Sequence, residues 1–261
     1  MAGIFNRQGK RNPITEKPLR NAGQSLNEEL DRLFNDRMLP YFLAAALFFI
    51  ATIMNWLSYF SRSHLFLSNC FFTVIATVVI IYASLKIISL KKVADSLNLG
   101  LKGEKFIGEF LDSFKEKGYK VYHDIPGESW NIDHVVVSCD GVYTIETKTR
   151  MKPSKGEISV LYDGDSIRIN GGPPETDAII QAKAQSRWLR EFIVKQTGLD
   201  IFIQPVILFP EWWVKKSSPH KPEVWVLNQK ALPKFIECSG NSVSPENILK
   251  ISNAIEGYVR K

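Results

Sequence analysis

The sequence predicts an α/β domain with a mixed central sheet flanked by helices, preceded by a hairpin of two transmembrane helices. Two uncharged apolar runs, at residues 39–60 and 65–85, are followed by segments in which helical and β-branched patterns alternate. Residues 1–92 contain 11 Lys and Arg against 5 Asp and Glu, whereas residues 93–261 contain 22 of each. The net charge of +6 therefore belongs to the N-terminal part, and the neutral C-terminal part has no overall charge that favours nucleic acid.

The two apolar runs are each long enough to cross a membrane. They contain 22 and 21 residues without a charge, and a helix of that length crosses a hydrocarbon core of about 30 Å. Because only residues 61–64 separate them, the helices are predicted to be antiparallel, with both chain termini on one side. The alternatives are two buried core helices or a cleaved signal peptide, but a polar stretch, residues 1–38, precedes the first run.

Positive charges predict the orientation of this hairpin. The turn between the runs contributes only Arg62. The positive residues that flank the hairpin on the other side are Arg20, Arg32, Arg37, Lys86, Lys91 and Lys92. The positive-inside rule then puts both termini and the C-terminal domain in the cytoplasm. We therefore expect a multi-pass protein of a plasma membrane, such as a bacterial inner membrane.

The segments around the hairpin have no motif that suggests chemistry. Residues 1–38 are predicted to be a basic, disordered cytoplasmic tail, within which residues 27–38 could form a short amphipathic helix. Residues 86–100 are predicted to be a linker or a helical continuation of the second span. The α/β domain is expected over residues 101–261.

The elements of this domain follow from local patterns. A helix from about residue 103 ends at Gly118, and a second from about residue 177 ends before Gly198. Cys139, Asp140 and Gly141 indicate a hairpin turn. The predicted strands are residues 119–124, 132–137, 142–149, 158–161, 166–169, 201–209 and 224–227. A short helix at 232–237 and a last helix that begins at Pro245 complete the chain.

The three cysteines, Cys70, Cys139 and Cys238, are widely spaced and form no CxxC or Cys/His cluster. A disulfide framework or a zinc site is therefore not expected. Neither apolar run contains an ionisable residue that could mark a transport pathway, which argues against a transporter or channel.

Asp133, Glu146 and Lys148 are the residues that suggest chemistry. Glu146 and Lys148 are two apart in one predicted strand and so point to one face. A four-residue turn would pair Asp133 with Glu146, and a two-residue turn would pair Asp133 with Lys148. Either turn puts all three side chains on one face, with opposed Cβ atoms about 5 Å apart. A three-residue turn would reverse the faces.

Two carboxylates at that distance repel each other unless a cation lies between them. Asp133 and Glu146 are therefore candidate ligands for Mg²⁺, or for another divalent cation such as Mn²⁺. Lys148 could orient or deprotonate a water molecule, or offset negative charge on a phosphate. The alternative is an exposed cross-strand ion pair without a function. The apolar residues that flank the three side chains argue for strands covered on both faces, where unpaired charges are costly.

Three further residues are candidates for the same site. Glu104 borders the apolar stripe of the first helix of the domain, although a first-turn glutamate favoured by the helix dipole is an equal alternative. Gln181 and Gln185 lie one turn apart on the long helix, where buried glutamines need hydrogen-bond partners such as a phosphate. For Gln185 a local hydrogen bond at the helix edge is the favoured alternative.

Three sequence blocks together resemble the nuclease-related domain family. These blocks are GLKGEKFIGEFLDSF, IDHVVVSCDGVYTIETKT and QAKAQ, in that order. The resemblance covers about residues 100–210 and implies a restriction-endonuclease-like fold with a PD-(D/E)xK type of active site, its core at residues 101–210. The motif departs from the pattern in two respects: Ile132, not proline, precedes Asp133, and no glycine directly follows the strand that carries Lys148.

The resemblance also implies roles for individual residues. It makes Asp133 and Glu146 metal ligands, Lys148 the catalytic lysine, and Glu104 an accessory catalytic acid. Gln181 matches a glutamine of the helix after the sheet, where it would contact the substrate phosphate. We therefore expect a membrane-anchored, Mg²⁺-dependent nuclease that hydrolyses phosphodiester bonds, with DNA as the expected partner. The alternative is a non-catalytic module that binds nucleic acid or protein at the membrane. The oligomeric state is left open.

Overall fold

A computed structural model describes residues 17–62, 66–127, 130–153, 158–217 and 222–260. The α-helices are α1 (Gln24–Arg32), α2 (Leu39–Arg62), α3 (Phe66–Asp112), α4 (Asp177–Thr197), α5 (Leu232–Glu237) and α6 (Pro245–Val259). A π-helical segment, Leu33–Met38, joins α1 to α2, and a 3-10 turn, Ser113–Lys117, ends α3. The strands are β1 (Lys120–Pro126), β2 (Asn131–Ser138), β3 (Gly141–Thr147), β4 (Ser159–Tyr162), β5 (Ile167–Ile169), β6 (Pro174–Glu175), β7 (Ile203–Leu208), β8 (Trp213–Lys216) and β9 (Trp225–Leu227).

Helices α2 and α3 contain the two predicted spans. Trp56 Nε1 donates to Thr73 Oγ1 at 3.0 Å, and the Phe48 and Phe72 rings stack with centroids 6.2 Å apart. These contacts hold the two helices antiparallel. Both helices are long and apolar enough to cross a membrane, and their most apolar stretches are only 0% and 11% buried inside the protein. Such exposure differs from that of core helices in a soluble domain. The predicted turn falls partly on residues 63–65, which lie outside the described residues.

The structure shows helices at residues 24–38, where a helix was expected only within a disordered tail, and it selects the helical alternative for residues 86–100. Residues 24–38 are helical and continue into α2, and α3 runs without a break through residues 86–100. Leu19 packs against the core of the C-terminal domain, so residues 17–23 are also ordered. Tertiary contacts stabilise this segment, and composition alone does not reveal them. Residues 1–16 lie outside the described residues, so the prediction of disorder is not tested there.

The central sheet is mixed, as predicted. Its five strands follow the order β1-β2-β3-β7-β9, with antiparallel pairing from β1 to β3 and parallel pairing from β3 to β9. A second sheet has the order β6-β5-β4-β8. It contains the predicted hairpin of residues 158–161 and 166–169, together with two short strands that the sequence patterns did not predict.

Helices cover both faces of the central sheet. On one face α3 and α5 pack through Ile107, Leu111 and Leu232 against Val136 and Tyr143. On the other face α4 and α6 pack on the sheet, with a core formed by Val135, Val137, Val142, Leu189, Ile193, Ile251 and Ile255. This burial of apolar side chains in two layers is the main stabilising contribution to the domain.

Candidate active site

The register of β2 and β3 brings the two predicted metal ligands together. Val137 pairs with Val142, as the four-residue alternative predicted, and Cys139 and Asp140 form the tip of the hairpin. Continued along the strands, this register sets Asp133 opposite Glu146. Both side chains therefore lie on the α4 face, at the edge of the sheet where β2 begins and β3 ends.

Glu146 has one hydrogen-bond partner on each of its two carboxylate oxygens. Its Oε1 is 2.6 Å from Lys148 Nζ, and its Oε2 accepts a hydrogen bond of 2.6 Å from Gln185 Nε2. The same lysine Nζ donates to Gln181 Oε1 at 3.0 Å. The Lys148 side chain is 21% exposed, whereas Glu146 is buried. The pair thus combines a buried acid with a lysine side chain that is partly exposed.

Asp133 and Glu104 complete a buried acidic cluster. Asp133 Oδ2 accepts a hydrogen bond of 2.8 Å from the Thr147 backbone N–H. Burial, followed by the charges of Glu146 and Glu104, raises the pKa of Asp133 well above its usual range. Glu104 is 7% exposed and its Oε2 has no hydrogen-bond partner among the described residues. Burial, together with Asp124 and Glu146, raises the pKa of Glu104 to about 8.

Helix α3 brings Glu104 to this edge because a glycine lets the helix lie close to the end of β3. A Cβ on Gly103 would overlap the hydroxyl of Thr149, two residues beyond that strand. The position therefore has no room for a side chain. Glu104, one residue further along α3, is held within electrostatic reach of Glu146 and Lys148.

The four predicted catalytic residues and the two predicted substrate-binding glutamines therefore converge at one edge of the sheet. Gln185 differs from the favoured expectation. It is buried, and its amide donates to Glu146 and to the Asn131 carbonyl oxygen, 3.0 Å away, instead of making a local bond at the helix edge. The functional roles of all six residues remain predictions.

Asp124 is a further member of the cluster that the sequence analysis missed. The register of β1 and β2, continued from His123 and His134, sets it opposite Asp133. Its side chain is fully buried, and its backbone has a φ of 50°, a conformation that aspartate tolerates better than most residues. No sequence signal marked it, since it stood simply as the last residue of a predicted strand.

Asp133 and Glu146, which lie opposite each other on β2 and β3, are the carboxylates that could hold a metal. Among the described residues, no group of three or more His, Cys, Asp or Glu side chains could hold an ion. Mg²⁺ is usually bound by one or two carboxylates, with water and substrate phosphate as the other ligands. The partnerless Glu104 oxygen and the raised pKa values of Glu104 and Asp133 indicate an excess of negative potential. The donor set therefore fits Mg²⁺ or Mn²⁺.

Other polar features lie outside this cluster. The rings of His123 and His134 face each other with Nδ1 atoms 2.9 Å apart, and Asp112 Oδ1 is 3.0 Å from His123 Nε2. Burial lowers the pKa of both histidines. A cavity of about 430 Å³ lies between β9, α5 and the second sheet, and its lining includes Trp225 but none of the six predicted site residues. The three cysteines are free thiols.

A mixed sheet covered by helices on both faces, with two acids and a lysine at adjacent strand ends, is the arrangement expected of a restriction-endonuclease-like domain of the PD-(D/E)xK type. Residues 99–210 match the family model described as Nuclease-related domain (NERD). Comparisons with curated proteins and with solved structures found no match.

Proposed function

We propose that the protein is a membrane-anchored, metal-dependent nuclease that hydrolyses phosphodiester bonds in DNA. The observation that supports the reaction best is the contact of Lys148 Nζ with both Glu146 and Gln181, beside the buried carboxylate of Asp133. It combines acids that could hold a cation with a lysine side chain that is partly exposed. The match to the nuclease-related domain supports the same class of reaction.

Each residue would have a distinct role. Asp133 and Glu146 would hold Mg²⁺ or Mn²⁺, which when bound polarises a phosphoryl oxygen and lowers the pKa of a coordinated water. Lys148 would offset the negative charge that develops on the phosphate. Gln185 keeps Glu146 oriented, and Gln181 keeps Lys148 within reach. Glu104, whose pKa lies near neutrality, can retain or release a proton beside the reacting groups.

The membrane anchor is supported by the surface of the helical hairpin. Large apolar side chains such as Leu47, Leu67 and Phe71 are 65%, 83% and 69% exposed. Exposure of so much apolar surface to water is energetically unfavourable, whereas the hydrocarbon core of a membrane accommodates it. The flanking positive charges favour a cytoplasmic location for both termini and for the C-terminal domain.

Cleavage assays on the full chain in detergent micelles test the reaction. With Mg²⁺ present, we expect Asp133→Ala and Lys148→Ala each to lower the rate of DNA cleavage by about 100-fold or more. Asp165→Ala and Lys195→Ala, which change exposed residues of the same types, serve as controls and should leave the rate unchanged. Cleavage that persists in both site variants would contradict the assignment of these residues.

A non-catalytic binding module is the second candidate, because the 22 acidic and 22 basic residues of the C-terminal part give DNA no overall attraction. Calorimetry separates the two candidates. A nuclease should bind Mg²⁺ in the millimolar range or tighter, and Asp133→Ala should abolish that binding. The absence of Mg²⁺ affinity, with retained binding of nucleic acid or of a protein, would favour the module.

A further inference from the structure

We propose that the segment before the first membrane helix is part of the nuclease site, with Arg20 and Asp124 as positioning residues. We call residues 17–25 the N-terminal strap. The inference rests on the proposed nuclease function and assigns to it two residues outside the matched acid–lysine motif. Arg20 also lies outside the range that matches the nuclease-related domain.

The strap is attached to the domain through the buried carboxylate of Asp124. Arg20 Nε lies 2.5 Å from Asp124 Oδ2, and the same oxygen accepts hydrogen bonds of 3.0 Å from the backbone N–H and the hydroxyl of Ser25. Asn131 Nδ2 donates to the other oxygen, Oδ1, at 2.7 Å. A buried carboxylate is stabilised only when it is paired and hydrogen-bonded, and these contacts supply both.

The same hydrogen bonds continue from Asp124 to the candidate catalytic residues. Asn131, which donates to Asp124 through its side chain, accepts from Gln185 Nε2 through its backbone carbonyl oxygen. That amide nitrogen also donates to Glu146 Oε2. A continuous polar network therefore leads from Arg20 to Glu146. Displacement of Asp124 would change the position of Asn131 and, through Gln185, the orientation of a predicted metal ligand.

The strap also packs on the turn of α3 that carries Glu104. The Ala22 side chain lies against Gly108, where a Cβ would overlap it. Gly23, with a φ of 72°, lies so near α3 that a Cβ there would be 2.5 Å from Leu101 Cδ1 and 3.7 Å from Glu104 Oε2. The strap leads into the first membrane helix, and α3 is the second, so both connections to the membrane meet at the acid cluster.

The competing explanation is that the strap only stabilises the fold and has no influence on catalysis. A positioning role and a purely structural role predict different effects of a substitution on kcat. Loss of a positioning residue misaligns the reacting groups, which lowers kcat and leaves substrate binding largely intact. A clamp that only stabilises the fold would change the melting temperature and leave the kcat of the folded fraction unchanged.

The experiment compares Arg20→Ala with Arg32→Ala in the full chain in detergent micelles. Arg32 lies on α1 and is exposed, with a hydrogen bond to the Glu28 carbonyl oxygen of its own helix. For Arg20→Ala we expect kcat to fall by about 10- to 100-fold with KM for DNA changed less than about twofold. Added guanidinium ion should restore part of the rate. Arg20→Lys should keep an intermediate rate, and Arg32→Ala should match the wild type.

Hydrogen–deuterium exchange gives a readout that does not need activity. Arg20→Ala should exchange faster than wild type in residues 131–134 and around Gln185, and Arg32→Ala should not. If the wild type cleaves DNA and Arg20→Ala keeps its kcat and its exchange pattern, the inference is overturned while the nuclease function stands. If the wild type does not cleave DNA, the proposed function fails, and unchanged exchange in Arg20→Ala would then overturn the network as well.

Discussion

Gln185 on α4 and Glu146 on β3 are joined by a hydrogen bond of 2.6 Å between the amide Nε2 and the carboxylate Oε2. Both side chains are buried, with exposures of 1% and 4%. The bond connects the helix layer to the strand that carries the candidate metal ligand. It satisfies one oxygen of Glu146, while Lys148 satisfies the other.

We predict that Gln185→Met destabilises the domain more than Gln181→Met does. Methionine preserves the volume, but at position 185 it leaves a buried carboxylate oxygen without its donor, which costs about 1–3 kcal/mol. Gln181 is half-buried, and its loss leaves the Lys148–Glu146 ion pair in place. Urea denaturation of both variants measures the difference in the free energy of unfolding. Equal stability of the two variants would contradict the importance of the Gln185 bond.

The close approach of α3 to the end of β3 predicts the effect of Gly103→Ala. The added Cβ overlaps the hydroxyl of Thr149 and should reduce the free energy of unfolding by about 1–3 kcal/mol. Gly257→Ala in α6 is the control, since nothing lies within 4 Å of its Cβ position and alanine gains up to about 1 kcal/mol of helix propensity. The double variant Gly103→Ala with Thr149→Ala should recover part of the loss. If Gly103→Ala alone kept the wild-type free energy of unfolding, the close contact between α3 and Thr149 would be contradicted.

The raised pKa of Glu104 predicts a loss of stability as pH rises. Between its ordinary pKa of 4.5 and the folded-state pKa of about 8, only the unfolded chain ionises this carboxyl, so unfolding becomes more favourable. In EDTA the free energy of unfolding of the wild type should fall across this range, relative to Glu104→Gln. The expected difference is on the order of a few kcal/mol, because one pKa unit corresponds to about 1.4 kcal/mol. Glu109→Gln, an exposed position on the same helix, should follow the wild type. Parallel pH curves for wild type and Glu104→Gln would mean that Glu104 is ionised at neutral pH.

The predicted orientation in the membrane can be tested with the free cysteines. Cys139 at the tip of the β2–β3 hairpin and Cys238 after α5 are exposed, whereas Cys70 lies within the second apolar run. In a Cys70→Ala variant, a thiol reagent that cannot cross membranes should label the protein in inverted vesicles and leave it unlabelled in intact right-side-out vesicles. A variant in which Cys139→Ala and Cys238→Ala are added to Cys70→Ala has no thiol and is the unlabelled control. Labelling from the outer side would place the C-terminal domain opposite to the prediction.

The sequence predicted those features that depend on local periodicity and composition. Charge-free length predicted the two apolar helices, and the two-residue repeat of a strand put Glu146 and Lys148 on one face. The helix ends at Gly118 and Gly198, both with positive φ, and the Ser244 cap of α6 also follow local rules. The order of helices and strands was sufficient to predict a mixed sheet. Each helix and strand that buries one face leaves a periodic pattern of apolar residues in the sequence.

Only the tertiary structure decided which side chains that are far apart in the sequence contact each other. The pairing of Arg20 with Asp124 spans 104 positions, and that of Gln185 with Glu146 spans 39, and no local pattern marks either partner. The turn alternatives were resolved only by the register in which Val137 meets Val142. The order of residues 17–38 likewise depends on contacts with α3 and β1, not on the composition of the segment. A side chain's partners are set by which surfaces the folded layers bring together, and that information lies in the packing of the whole chain.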